Sequence, residues 1–479
     1  MSQFLKLNCN TSRSSLIMIT AACFALAPTS GSAEELDKKM VQQELEMLKQ
    51  RIADLERLLK QKQPLATAES QPLVEAKDEA SKAPKPLQAA TASKEKASEV
   101  ANFSDEEPPK EKGTVEISTA GSTMTVGGQI RLDTAYNNPA GTSNFGMSAS
   151  GIPSSTAAQG ERGHLSMHAG NSRLWFKTHT PINGDALRTL IEIDFWGSAG
   201  NERVSNSHNI RLRHAYAEYA GFTIGQTNST FMHSGTTPDL INDSTADVFV
   251  RQPLIRYTYP FNGGDFQVSL EQPETTLTDI IGDQIAPDDD RLPDLSAKLT
   301  WQPNWGQLSL SGVLRQLRID TGAAALGAVP ANVTDQAVGG ALFASARINL
   351  WGADNLRLGY IYGNALGRYV SYNSFNDAAI DAAGNIHLQR AMAGFGAYQH
   401  WWDDNWHSSF VFTRSQVNND ITVVPATAFR YIQSYHANLL WAPLLNTSMG
   451  LEYIHATSKM ESGEKAKLQR AKFSAIYKF

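Results

Sequence analysis

From Thr114 onward the chain runs in short stretches in which apolar and polar residues alternate. In the last stretch Ala471, Phe473, Ala475, Tyr477 and Phe479 share one face of an extended strand. Arg470, Lys472, Ser474 and Lys478 share the other, with Ile476 out of pattern. Successive side chains of a strand point to opposite faces, so this pattern suits a sheet with an apolar medium on one side and water on the other. A single such stretch would equally suit a soluble amphipathic strand. The pattern recurs near 124–136, 171–180, 187–196, 211–220, 222–227, 253–259, 265–272, 294–302, 306–318, 337–350, 354–366, 387–401, 405–417, 428–441, 446–458 and 467–479, about sixteen strands in all. An even number is what a closed antiparallel bacterial barrel requires.

The connections carry more information than the strands. Short ones at 181–186, 220–221, 260–264, 303–306, 351–353, 402–404 and 442–445 alternate with long ones at 137–170, 197–210, 228–252, 273–293, 319–336, 367–386, 418–427 and 459–466. The short ones hold the Gly, Pro, Asn and Asp that tight hairpins need. A barrel with short periplasmic turns and long external loops produces this rhythm, with both ends of the domain periplasmic, whereas a Greek-key sandwich has no reason to. Six of the nine Trp flank the short turns, as an aromatic girdle at the periplasmic interface would place them. The expected fold class is therefore an all-β transmembrane barrel over residues 113–479.

Upstream the texture is different. Residues 1–33 read as a signal peptide, with Lys6 and Arg13, an apolar run from Leu16 to Ala27, and Gly31-Ser-Ala33 before a cut. That run is too short to span a bilayer as a helix. Residues 34–63 lack Gly and Pro, and Val41, Leu45, Leu48, Ile52, Leu55 and Leu59 recur at the steps of four and three that define a coiled-coil seam. In that register Glu44 faces Lys49, and Arg51 faces Glu56, on a neighbouring helix. The expected partner is therefore further copies of this chain, joined by a periplasmic coiled coil whose mixed Leu and Ile at a, with Leu at d, lean towards a homotrimer over a dimer without deciding between them. Residues 64–112, rich in Ala, Lys, Glu, Ser and Pro, read as a disordered linker that lets the tail reach towards peptidoglycan.

Composition adds limits. Both cysteines, Cys9 and Cys23, lie in the leader, so no disulfide staples the exported domain. The formal charge of −6 becomes −8 once Lys6 and Arg13 are removed, which leaves no footprint for nucleic acid. A mean hydropathy of −0.32 does not exclude a barrel, because lumen-facing and lipid-facing residues cancel in any average. No hydrolase elbow, phosphate-binding loop, zinc motif or cysteine pair is present, so no catalytic residue, metal or cofactor is expected.

Arg131, Arg173, Arg256, Arg347, Arg357, Arg470 and Lys472 alternate with apolar neighbours and should point inward. At mid-membrane a lipid-facing charge costs ~2–4 kcal/mol. Arg211, Arg213, Arg315, Arg390, Arg414 and Arg430 rank lower, since a one-residue bulge would reverse their side. Glu192, Asp194 and Glu452 also look inward. The loop 228–252 carries Asp239, Asp243, Asp247 and Arg251 as candidates for lining a constriction. A lumen richer in guanidinium than carboxylate favours small organic anions. The competing reading is that some of these arginines merely brace the carboxylates.

The order of parts, from the Val41–Leu59 heptad through the Lys/Ala/Pro linker to a barrel ending in Ile476-Tyr-Lys-Phe479, resembles the DcaP-like trimeric outer-membrane porins. That resemblance implies passive uptake of dicarboxylates and related organic acids through an arginine-lined pore in the bacterial outer membrane. It also implies that loop 228–252 is the third external loop, folded inward. A general non-selective porin and a structural barrel tethered to the cell wall are the alternatives.

Overall fold

Ser122 opens a strand in which Asp133, Ala135 and Asn137 are buried, while Ile130, Leu132 and Tyr136 face outward and are exposed. The computed structural model describes residues 115–119, 121–140, 151–152, 163–198 and 203–479. The expected leader, coiled coil and linker lie outside the described residues.

Sixteen strands close into one antiparallel barrel. In order they are β1 (Ser122–Asn138), β2 (His164–His168 and Arg173–Ile182), β3 (Asp185–Asp194), β4 (Arg211–Tyr219), β5 (Phe222–Asn228), β6 (Arg251–Phe261), β7 (Gly264–Glu271) and β8 (Asp294–Trp301). There follow β9 (Gly306–Asp320), β10 (Thr334–Asn349), β11 (Asn355–Gly363), β12 (Arg390–Trp401), β13 (Trp406–Asn418), β14 (Phe429–Trp441), β15 (Thr447–Met460) and β16 (Lys465–Lys478). Each pairs with the next. One edge of β1 takes both segments of β2, and the other takes β16. Past the end of β16 a short strand, Val115–Thr119, continues along that same edge of β1. Phe479 joins the seam through its own backbone, N–H to Gly128 O at 3.0 Å and O to Gly128 N–H at 2.8 Å.

The wall is apolar outside and polar inside. Leu299, Leu310, Leu342, Tyr360, Phe410, Leu451 and Tyr453 are exposed, whereas Ser311, Ser345, Thr413, Ser434, Glu452 and Lys472 are buried. Such a wall needs lipid around it, and closure leaves no strand edge unsatisfied there. Trp301, Trp305, Trp351, Trp402 and Trp441 are exposed at the end that carries the short turns. No helix among the described residues is long and apolar enough to cross a membrane.

Two features depart from the expected pattern. β2 begins seven residues earlier than its alternation suggested, at His164, and is broken at 169–172, where Ser172 N–H bonds back to Ala169 O at 2.9 Å. The loops after β7 and β11 contribute Leu277–Thr278, Gln284–Ile285, Ala378–Ile380 and Ile386–Leu388 to a separate four-stranded sheet. Strands of two or three residues are too short to show a period.

The lumen is partly filled. The loop 229–250, between β5 and β6, turns inward and buries Phe231, Ala246 and Val250 against Val313 of β9, Phe343 of β10 and Ile361 of β11. Leu366, Tyr369 and Val370 from the loop after β11 complete this cluster. Full burial of a side chain such as Phe231 is worth roughly 1.5–3 kcal/mol, so the β9–β12 wall holds the inward loop by ordinary core packing.

Candidate functional site

The inward loop is fixed by polar contacts as well. His233 stacks on Phe343, with ring centroids 3.9 Å apart and planes 8° from parallel. Its two nitrogens meet Ser345 Oγ at 2.7 Å and Ser311 Oγ at 2.9 Å. Burial, with the Lys298 ammonium nearby, pushes this imidazole down to about 2, so it remains neutral. Further along, Ile241 N–H donates to Glu452 Oε2 at 2.6 Å, Ser415 Oγ to Thr245 O at 2.6 Å, and Asn438 Nδ2 to Asp239 O at 2.8 Å. Asp239 Oδ2 lies 2.9 Å from His407 Nε2. Burial raises that carboxyl, but His407, Arg357 and Gln399 outweigh it, and the net shift is downward.

Four of the basic residues expected in the lumen are bonded to this loop. Arg131 and Lys472 both donate to Ile241 O, at 3.2 and 3.3 Å. Arg470 donates to Asn242 Oδ1 at 3.1 Å, and Arg357 donates to Thr237 O. Arg131 also pairs with Asp133 at 2.8 Å, and Arg470 Nε bonds Asn137 Oδ1 at 2.6 Å. Arg256 reaches Asn228 O at 3.5 Å, and Arg347 stands opposite Arg357 in the β10–β11 register.

A different group of charges lines the wall from β2 to β6. Arg173 lies 3.4 Å from Glu192, and Arg213 bonds Glu192 and, at 2.9 Å, Asp194. Arg211 meets Asp194 at 2.6 Å. Arg251, expected in the loop, is the first residue of β6, with its guanidinium 4.5 Å over the Phe249 ring and within electrostatic reach of Arg213, Arg173 and Arg211. Four guanidinium groups thus face two carboxylates, leaving a net charge of +2. Two of these side chains are wetter than those under the loops: Arg173 and Arg211 are 29% and 35% exposed, against 0% for Arg315, whereas Arg213 is buried. A β-bulge makes the cluster possible. His214 pairs with Glu192 and Leu212 with Ile193, so Arg213 is the extra residue and turns inward beside His214.

On the loop side, Asp243 and Asp247 line a cleft with Met232, Thr237, Phe249 and Tyr372. Asp243 is exposed and Asp247 half-buried. Ser244 donates to both oxygens of Asp247, at 2.7 Å from N–H and 2.6 Å from Oγ. Burial and the neighbouring Asp243 carboxylate nevertheless push the Asp247 carboxyl up to about 7. Tyr372, at φ 54° between two other left-handed residues, packs its ring 5.4 Å from Phe249.

Ser434, His436 and Glu452 form a hydrogen-bonded relay, 2.8 Å from Ser434 Oγ to His436 Nε2 and 2.9 Å from His436 Nδ1 to Glu452 Oε1. It resembles a hydrolytic triad, but Ser434 is fully buried and bonded to Thr413 Oγ1 at 2.8 Å, and Glu452 also holds Ile241. The relay therefore braces the loop. No group of three or more His, Cys, Asp or Glu among the described residues is placed to hold a metal ion.

Arg211 and Arg213, ranked low by their position in sequence, belong to the β2–β6 cluster, and Arg315 is buried between Asp294 at 2.9 Å and Asp377 at 2.5 Å. Arg414 faces outward, and Arg390 and Arg430 are exposed. The loop anchors His233, Thr245 and Tyr369 carried no sequence signal, because each is defined by a partner more than seventy residues away.

No curated protein sequence matches the chain. The DcaP channel of Acinetobacter baumannii superposes with a TM-score of 0.64 at 23% identity, over 76% of this chain and 99% of that one. An anion-selective porin from Comamonas acidovorans gives 0.49 at 12% identity, over 75% and 100% of the two chains. OmpF of Salmonella typhi, in complex with daunomycin, also gives 0.49 at 12%, over 76% and 100%. The profile of the DcaP outer membrane protein family matches residues 96–479, and the chain belongs to that family of outer-membrane channels.

Proposed function

We propose that this protein is a porin for passive diffusion of small anions, dicarboxylates and related organic acids above all. The observation that carries this reading is the cluster of Arg173, Arg211, Arg213 and Arg251, which exceeds its two carboxylates by two charges and keeps Arg173 and Arg211 partly exposed. A unit charge about 8 Å from a net +2 gains on the order of 4 kcal/mol at an effective dielectric near 20, and about 1 kcal/mol at that of water. A dianion gains twice as much as a monoanion. Forked guanidinium groups also match the geometry of carboxylate oxygens. The expected lumen ring is thereby divided in two: Arg131, Arg357, Arg470 and Lys472 position the loop, and the β2–β6 cluster meets the solute.

Reversal potentials across a potassium chloride gradient should show anion preference that weakens as salt screens the cluster. Succinate should block chloride current at lower concentration than acetate does. Replacing Arg173 and Arg251 by Gln should shrink that difference several-fold. Equal block by the two acids would point to a general porin, and cation preference at low salt would hand control to Asp243 and Asp247. The same proposal includes a homotrimer as the working unit, with the tail reaching towards the cell wall.

A further inference from the structure

The outward face of the barrel is not uniformly apolar. At the end with the long loops, Arg414 on β13 projects outward beside exposed Phe412, its guanidinium 4.3 Å over the Tyr431 ring. Gln433 and Gln416 accept from it at 3.1 and 3.0 Å. The charge is held in place by neutral partners and left uncompensated. Around it stand exposed Arg390 at the start of β12, exposed Arg430 in the bulge at the start of β14, Lys459 on β15, and exposed Lys465 and Lys467 on β16. None of these five forms an ion pair among the described residues.

The strand register makes this a single patch. Arg414 lies opposite Gln433, Tyr431 opposite Lys459, and Lys459 directly opposite Lys465, while Lys467 faces Thr457. Five neighbouring strands at their usual spacing span roughly 20 Å. Like charges directly opposite each other destabilise a sheet, so the Lys459–Lys465 pair is a cost that a bound anion would remove. On other strands near this end the outward residues Leu270, Leu295, Leu314, Gln336 and Val338 are uncharged, and the charged positions of β9, Arg318 and Asp320, neutralise each other in an ion pair at 2.9 Å. Immediately towards the other end, the patch gives way to Phe410, Tyr435, Leu451, Tyr453 and Phe473. An apolar belt below and fixed cations above match a molecule with acyl chains and an anionic head.

We propose that the outward face of β12–β16 at its long-loop end binds the phosphorylated headgroup of an outer-leaflet lipid, with the acyl chains against the aromatic belt beneath. The long loops are external in an outer-membrane barrel, which places the patch at the outer leaflet.

Full-length protein in detergent, titrated with diphosphoryl lipid A and with the same lipid stripped of its phosphates, tests this by native mass spectrometry. The wild type should retain the phosphorylated lipid with at least about tenfold preference. The variant R390Q/R414Q/K459Q/K465Q/K467Q should lose that preference and keep its chloride conductance. The milder K459Q/K465Q pair should lose about threefold or more, which serves if the larger variant assembles poorly. Equal retention of the two lipids by the wild type would overturn the proposal, as would an unchanged preference in the milder variant. Loss of lipid to millimolar inorganic phosphate would also overturn it, because the patch would then be a simple anion site.

Discussion

Asp247 sits where two demands conflict. Its carboxylate caps Ser244 at the lip of the cleft, yet burial and Asp243 oppose its charge and raise its titration to about 7. An ordinary Asp titrates near 3.9, so between pH 4 and 7 the folded loop holds this proton while the unfolded chain does not. Stability therefore falls as pH rises through that window, the reverse of an Asp held by a salt bridge. For permeation, lowering the pH from 8 to 6 removes most of this negative charge from the cleft on the inward loop, and anion preference should rise. Asp247→Asn should show the low-pH preference at both values. A wild-type reversal potential that stays flat across this range would mean that Asp247 lies off the path of the ions.

At the scale of elements, the strands and the loop obey different rules. Each strand separates lipid from lumen along its length, so its side-chain alternation is written locally, and the sixteen stretches read from the chain all became strands. Register slips and long-range contacts are not local. The bulge that turns Arg213 inward adds one residue with no signature in R-L-R-H, and Glu452 meets Ile241 from 211 positions away. The expectation that Arg131 and Arg357 line the lumen has the same limit: alternation reveals that they face inward, but not that Ile241 O and Thr237 O wait there. Removing both donors takes the side-chain donor from Thr237 O, at about 1–3 kcal/mol where buried, and leaves Ile241 O held by Lys472 alone. Changing Arg131 and Arg357 together to Gln should therefore raise open-channel noise, because the loop samples more positions. It should alter selectivity less than the Arg173 and Arg251 pair does. A quiet channel with lost selectivity would make them solute contacts after all.

The outer wall mixes large and small positions around its circumference. Between β7 and β15 large side chains such as Phe266, Leu310, Leu342, Tyr360, Phe410 and Tyr453 alternate with small ones such as Ala297, Gly312, Gly340 and Ala344. On β2, β3 and β4, beside exposed Phe176, Ile191 and Leu212, it carries a run of small positions, Thr178, Thr189, Ala215 and Ala217, with Thr178 and Thr189 sharing a hydrogen bond at 2.7 Å and Ala217 next to them in register. Small and hydroxylated positions let backbones approach closely and gain little from lipid, as expected for a surface that meets another protein wall. A cyclic assembly of three copies through this face would leave the basic patch on β12–β16 open to lipid, so the two surfaces do not compete. The heptad over residues 34–63 would then be a second, independent source of trimerisation. The two can be separated. Full-length protein in mild detergent should run as a trimer by light scattering, and deleting residues 34–63 should lower the temperature at which the trimer dissociates without changing barrel conductance. Ala215→Trp with Ala217→Trp should weaken the trimer in the tail-less protein far more than in the full chain, where the heptad still ties the copies together. A full-length protein that is monomeric at all concentrations would remove both contacts at once. If the tryptophans have no effect in the tail-less protein, the contact belongs on another part of the wall.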